Sequence, residues 1–302
     1  MCLFAAGRED NSYHKPVLLK EVLEFLLINN DSSETKLYVD CTLGGGGYTK
    51  AILNAASLET RVICIDKDEN AISYSKKRLN DYSERLFFKQ GNFADIKQIT
   101  GALGFEKVSG IVMDLGLSSY QIESEDGFSY LRETALDMRA DRSQTLTAKE
   151  VLNAYDEKEL SDIMYNYGEL RYNRQIARDI VNSRKIKKFE TTFDLVEVLK
   201  KKLPYKYMNR DLSKVFQALR IEVNNELENL EKVLDDSADI LETGGRIIAV
   251  SYHSLEDRIV KNKFRSNDKF TVITKKPVEP SDDETGKNIR SRSAKLRAAE
   301  KI

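Results

Sequence analysis

Tryptophan is absent from this chain of 302 residues, which holds only four prolines, three cysteines and two histidines. Cys2, Cys41 and Cys64 show no paired spacing, and His14 and His253 are too few to build an evident zinc set with them. A disulfide scaffold and a structural zinc site are therefore not expected, and a reducing, cytoplasmic setting fits. No long apolar run appears, so no membrane span is expected, and Met1 to Ala6 is too short for a signal peptide. The net charge is -1, so any nucleic-acid contact has to come from local patches. What the chain does have is a hydrophobic content of 41%, enough for a proper core and against global disorder.

The most informative stretch is a turn. The apolar run Leu37-Tyr38-Val39 leads into Asp40-Cys41-Thr42-Leu43, four glycines from Gly44 to Gly47, and Tyr48-Thr49. A second apolar run, Val62-Ile63-Cys64-Ile65, ends on Asp66. Strand, glycine turn, helix, strand, acid is the order that holds a nucleoside-containing ligand at the tips of an open α/β sheet. Glycines let the backbone approach the ligand and open the helix at its electropositive end, and the carboxylate suits a pair of ribose hydroxyls. Counted from Gly44, the sixth position is Thr49, where a dinucleotide fingerprint needs glycine, and no Gly-Lys-Ser/Thr follows for a phosphate loop. Asp40 would oppose a pyrophosphate and attract a cationic ligand. That points to S-adenosylmethionine, whose sulfonium and amino groups are positive.

Strand and helix alternate from residue 37 to about 116. Leu86-Phe87-Phe88 precedes Gln90-Gly91-Asn92-Phe93, and Gly110-Ile111-Val112-Met113 ends on Asp114. Short apolar runs closed by polar residues are what buried parallel strands look like when their tips form a site. From about 145 to 205 the pattern is helical only. A long amphipathic helix with Phe216, Leu219, Val223, Leu227, Leu230, Leu234 and Leu241 on one face follows, ended by Gly244-Gly245. The strand Arg246–Ser251, a helix from Leu255 to Arg265 and the strand Thr271–Thr274 complete the reading. Basic residues crowd the helical part, among them Arg171, Arg174, Arg178, Lys185, Lys187, Lys188 and Arg210, with Tyr165, Tyr167, Tyr172, Tyr205 and Tyr207 beside them. A further group, Arg290, Arg292, Lys295 and Arg297, lies near residue 295. Cations beside aromatics suit RNA, and ordinary solvated helix faces are the plainer alternative.

Several motifs together resemble the ribosomal RNA small subunit methyltransferase H family. They are Tyr13-His14-Lys15-Pro16-Val17-Leu18-Leu19-Lys20-Glu21-Val22, the glycine turn, Met113-Asp114-Leu115-Gly116-Leu117-Ser118-Ser119, Gly127-Phe128-Ser129, and Leu136-Asp137-Met138-Arg139. Tyr167-Gly168-Glu169, Phe216-Gln217-Ala218-Leu219-Arg220-Ile221, Val223-Asn224-Asn225-Glu226-Leu227, Ser251-Tyr252-His253-Ser254-Leu255-Glu256-Asp257-Arg258 and Arg292-Ser293-Ala294-Lys295-Leu296-Arg297 follow in family order. The resemblance implies an α/β fold, a class I (Rossmann-like) methyltransferase sheet with an inserted helical domain. Residues 13–130 and 212–302 would form the S-adenosylmethionine-binding domain and 131–211 the insert, assigned to RNA recognition. The implied activity is methylation of the exocyclic N4 of a cytidine in the decoding region of small-subunit (16S) ribosomal RNA, with no membrane; an assembled small subunit is the favoured partner, and naked RNA stays open beside it. Monomer and homodimer both remain open.

The resemblance also implies cofactor contacts at Gly46, Gly47, Tyr48, Asp66, Phe93, Asp114 and Gln121, the last on the resemblance alone. Asp114 and His253 are the catalytic candidates. Asp114 would accept hydrogen bonds from the target amine, and His253 would relay a proton, bind a phosphate or hold a loop. Asp137 and Arg139 are expected to pair or to position RNA. No Asp/Asn-Pro-Pro-aromatic motif follows Met113, so the wall that stacks on the base has to come from Phe128, Tyr120 or Tyr252. The chain departs from the family pattern at Tyr48 (usually histidine), Cys41 (glycine), Tyr120 (proline), Tyr252 (phenylalanine) and Ile289 (proline). A DNA or protein methyltransferase and a cofactor-binding assembly factor are the competing readings.

Overall fold

The computed structural model describes residues 16–27, 35–116, 126–201 and 205–302, the side chain of Tyr205 excepted. Gln121 and Tyr120 lie outside them. Seven strands form one sheet in the order β3-β2-β1-β4-β5-β7-β6. They are β1 (Leu37–Asp40), β2 (Arg61–Asp66), β3 (Leu86–Gln90), β4 (Val108–Asp114), β5 (Leu241–Ser251), β6 (Phe270–Val272) and β7 (Lys295–Lys301). β1 to β5 pair in parallel, and β7 runs antiparallel to both of its neighbours. This is an open α/β sheet of the expected class, in which β1, β4 and β5 bring their C-terminal tips together.

Alternate residues of each strand serve opposite faces. Val39, Ile63, Ile111, Met113 and Ile247 pack against α4 (Ile96–Ala102), α10 (Glu226–Ile240) and α11 (Ser254–Ser266). Tyr38, Val62, Cys64, Val112 and Ile248 pack on the other side against α1 (Leu19–Phe25), α2 (Gly47–Ala55) and α3 (Glu69–Arg78). A third core, from Leu136 to Val223, belongs to α5 (Ala148–Ala154), α6 (Glu157–Asn166), α7 (Asn173–Arg184), α8 (Thr192–Lys200) and α9 (Met208–Asn224). Residues Asp282–Lys287 form a short α12. Among the described residues, no helix is long and apolar enough to cross a membrane.

Two expectations need correction. The long helix is two helices, because Asn225 turns left-handed at φ 50° between α9 and α10, a conformation asparagine tolerates better than most residues. Its second half ends at Ile240, and Gly244-Gly245 lies inside β5, where the register against β4 shifts between Val108 and Gly110. The basic group near residue 295 is not uniformly at the surface either, although Arg292 in it is exposed. Lys295 and Arg297 belong to β7, and Arg297 is buried with its Nε 2.6 Å from Asp257 Oδ1.

Candidate functional site

The turn after β1 is braced from below. Asp40 is fully buried, and its carboxylate accepts from Thr42 N at 3.2 Å and from the Thr49 hydroxyl at 2.7 Å. It does not line the cavity above, so its predicted part in attracting a cation passes to other acids. Gly46 caps α2 at φ 73°, where a Cβ would meet Leu79 Cδ1 at 2.8 Å; its glycine serves packing against α3. Gly44, Gly45 and Gly47 are the turn glycines that face the cavity, beside Cys41, Thr42 and Leu43.

That cavity spans the tips of β1, β2 and β4. Asp66 closes one side, its carboxylate accepting from Gly44 N at 2.8 Å and from Asp68 N at 2.9 Å. Phe93 offers a ring face beside it, with Lys67 Nζ 5.8 Å from the ring centroid. Asp114 stands at the β4 tip, its backbone N donating to Thr42 Oγ1 at 2.7 Å. Burial pushes both Asp66 and Asp114 up to about 6. Tyr48 also lines the cavity, but its hydroxyl is committed to Val17 O at 2.5 Å.

The wall opposite the sheet comes from the elbow between α9 and α10. Arg220, Asn224, Glu226 and Leu230 face the cavity from it, and Tyr252 and Glu256 close the end beyond Asp114. In the sequence, Arg220, Asn224, Glu226 and Glu256 stand inside family motifs with no place at the site expected of them, whereas Tyr252 is an expected candidate for its wall. Asn224 is fixed by bonds from its amide to Met138 O at 2.7 Å and from Ala140 N at 2.8 Å, so the helical core positions the elbow. Arg220 Nη2 donates to Glu226 Oε2 at 2.9 Å. Burial lowers the Arg220 guanidinium's affinity for its proton, but Glu226 and Glu256 outweigh it and hold the guanidinium firmly charged. Burial likewise raises Glu256, yet His253, Arg220 and the Tyr252 N–H bring it below the usual carboxylate range.

His253 stands outside the cavity lining and caps α11: Glu256 N donates to its Nδ1 at 3.4 Å, and its own N donates to Glu256 Oε2 at 3.3 Å. These contacts hold the turn between β5 and α11. Glu226, His253 and Glu256 bring ligand-type atoms within 4.8 Å of one another, and Arg220 supplies positive charge at that point, 2.8 Å from Glu226. Asp137 and Arg139 pair through two bonds, at 2.7 and 2.9 Å.

The whole chain can now be compared. A model of the MraW methylase family matches residues 11–302. The chain belongs to the MraW methylase family. Proteins named ribosomal RNA small subunit methyltransferase H are its relatives. That of Fusobacterium nucleatum subsp. nucleatum is 44% identical over 97% of this chain and 98% of its own. That of Clostridium botulinum (strain Kyoto) is 45% identical, with 96% and 99% covered. That of Hydrogenobaculum sp. is 46% identical, with 95% of each chain covered.

A methylase of this family uses S-adenosylmethionine, and the cavity fits it. Two buried polar atoms, Asp114 Oδ1 and Tyr252 Oη, have no hydrogen-bond partner among the described residues, as expected of a wall built for a polar ligand. The carboxylates of Asp66, Asp114, Glu226 and Glu256 outnumber Lys67 and Arg220, which suits a ligand carrying positive charge.

Proposed function

We propose that this MraW methylase transfers a methyl group to the exocyclic N4 of a cytidine in the decoding region of small-subunit (16S) ribosomal RNA. Its substrate is the assembled small subunit, in the cytoplasm. The observation that carries the reading is Asp114, a carboxylate with an unsatisfied oxygen at the β4 tip of a methylase cavity. S-adenosylmethionine, when bound, would supply an electrophilic methyl whose S–C bonding electrons stay with sulfur; the lone pair of the target nitrogen would make the new N–C bond, and the N–H proton it sheds would pass by way of the Asp114 carboxylate to water.

The protein's part is holding and orienting. Asp66 accepts from the ribose hydroxyls with the lone pairs not used by Gly44 and Asp68. Phe93 lies against the adenine, Gly47 and Tyr48 shape the floor, and Gly46 sets the turn. Gln121 is kept as a contact on the resemblance. Asp114 accepts a hydrogen bond from the target amine and so stabilises the positive charge that develops on it. His253 is a positioning residue, fixing Glu256 and through it Arg220.

Residues 131–211 are proposed as the RNA-recognition insert. In support, Arg171, Tyr172, Arg174, Lys185 and Lys188 are exposed on it. Within it, Tyr207 and Arg210 are stacked, the guanidinium 4.4 Å from the ring centroid. The test is methyl transfer from labelled S-adenosylmethionine to small subunits lacking the modification, with naked RNA and Asp114→Ala alongside and nucleoside mass analysis of the product. N4-methylcytidine that vanishes in the variant is expected. Cofactor binding with no methylated nucleoside in any RNA would favour an assembly factor.

A further inference from the structure

Two tyrosines flank Asp114, and they are used differently. Tyr48 spends its one hydroxyl hydrogen on Val17 O. Tyr252 Oη and Asp114 Oδ1 are both buried without a well-formed hydrogen bond among the described residues, although the phenol lies near enough to the carboxylate to act on it as a donor. The two side chains face each other closely enough that the carboxylate, after burial, is the main reason the Tyr252 phenol stays neutral.

Tyr252 is held rigidly on two sides. Its backbone N donates to Glu256 Oε2 at 2.9 Å. Its ring lies so near Gly116, in the loop after β4, that a Cβ there would come within 2.6 Å of Cε2. Holding a hydroxyl and a carboxylate oxygen buried with their bonding left incomplete is costly, and the cost is recovered when a ligand completes both atoms at once.

We infer that Asp114 Oδ1 and Tyr252 Oη take the two N–H bonds of the target amine, Tyr252 being the second acceptor that fixes the amine's orientation. The inference rests on the cytidine-N4 reading. An exocyclic amine has two hydrogens and one lone pair, and the lone pair has to be aimed at the methyl group. One acceptor leaves the nitrogen free to tilt; two on one rigid wall turn both hydrogens aside and leave a single direction open. The neutral phenol suits this, since its O–H can donate to the carboxylate while a lone pair accepts from the amine. A uracil in the same place presents a carbonyl oxygen and no N–H; the Tyr252 hydroxyl could turn to donate to it, but the Asp114 carboxylate would face that oxygen without a donor, which disfavours the base.

Tyr252→Phe tests this, because it keeps the ring on Gly116 and removes only the hydroxyl. Three quantities are measured: single-turnover methylation of small subunits at saturating cofactor, the equilibrium dissociation constant of S-adenosylmethionine, and the pH dependence of the single-turnover rate. The expected rate falls about tenfold, the loss of one well-placed hydrogen bond, while the dissociation constant stays within about twofold of the wild type. The acid limb moves to higher pH, because Asp114 loses a donor while Asp40, Glu256 and Tyr48, the other groups facing it, are unchanged. An unchanged rate and limb would overturn the inference. So would a loss confined to the dissociation constant, which would assign the pair to the amino group of the cofactor. Wild-type protein that binds the cofactor and methylates no RNA would instead overturn the functional reading beneath it.

Discussion

Asp114, at the tip of β4, and Asp194, in the first turn of α8, are both shielded aspartates, yet their surroundings treat them in opposite ways. Burial raises Asp114 to about 6, and one of its oxygens is left without a partner among the described residues. At Asp194 burial also acts upward, but Lys187 and the N–H groups of Thr191 and Glu190 outweigh it and bring the carboxyl to about 2. The contrast extends to the regions around them. Asp40 and Asp66 share the raised value of Asp114, whereas α5, α6 and α8 each open on a completed capping box. The helical part spends its polar groups on its own stability. At the sheet tips Asp40 braces the turn, while Asp66 and Asp114 keep oxygen lone pairs in reserve for a ligand, at some expense to stability.

Removing the reserve is the sharpest way to break the contrast. Asp114→Asn should reduce single-turnover methylation by about 10²–10³-fold with the melting temperature unchanged or higher; parallel losses of stability and rate would show that Asp114 is a structural acid like Asp194. Next in size, Asp66→Ala should weaken S-adenosylmethionine binding by about tenfold or more in calorimetry, since the ribose loses a charged acceptor.

Acidity separates the two regions by sign. Asp40, Asp66 and Asp114 hold protons more tightly folded (about 6) than unfolded, where the ordinary value is about 3.9. The ligand-free protein should therefore gain stability from them as pH falls from 7 through 6 toward 4. Asp194 acts the other way: its contribution is present above about 4 and is lost as pH falls toward 2. Cofactor affinity should drop by about tenfold for each pH unit below the value of a single required carboxylate. Thermal scans and binding at pH 7 and 5 check both signs, and affinity that rises on acidification would refute the role given to Asp66. The smallest effect is expected in the helical part: Thr191→Ala should cost about 1 kcal/mol of stability and leave cofactor affinity untouched.

Much of this was legible in the sequence, and the omissions have physical causes. β1, β2 and β4 are short apolar runs ending in acids, and parallel strands buried on both faces have to look so. β7 was missed because its sequence, Lys295-Leu296-Arg297-Ala298-Ala299-Glu300-Lys301, carries four charged residues; Arg297 is tolerable inside only because Asp257 on α11 meets it. Asp40 was read as a ligand group because spacing gives the end of a strand but not which way a side chain is used. The elbow at Asn225 was hidden by an apolar period that runs through it, although the consecutive Asn224 and Asn225 were a signal. Arg220, Glu226 and Glu256 reach the cavity only through that elbow and the α11 cap, which no local pattern announces.

α9 serves two masters along its length: Leu212, Val215, Phe216, Leu219 and Val223 are seated in the helical core, while Arg220 and Asn224 look into the cavity. Successive residues of a helix are turned by about 100°. One residue inserted between Val215 and Arg220 would swing Arg220 away from Glu226 and drive a polar face into the core, whereas an insertion of four would bring the faces almost back into line while carrying Arg220 about 6 Å too far along the axis. The segment is thus a ruler as well as a support, tolerant of changed letters on its exposed side and intolerant of a changed length.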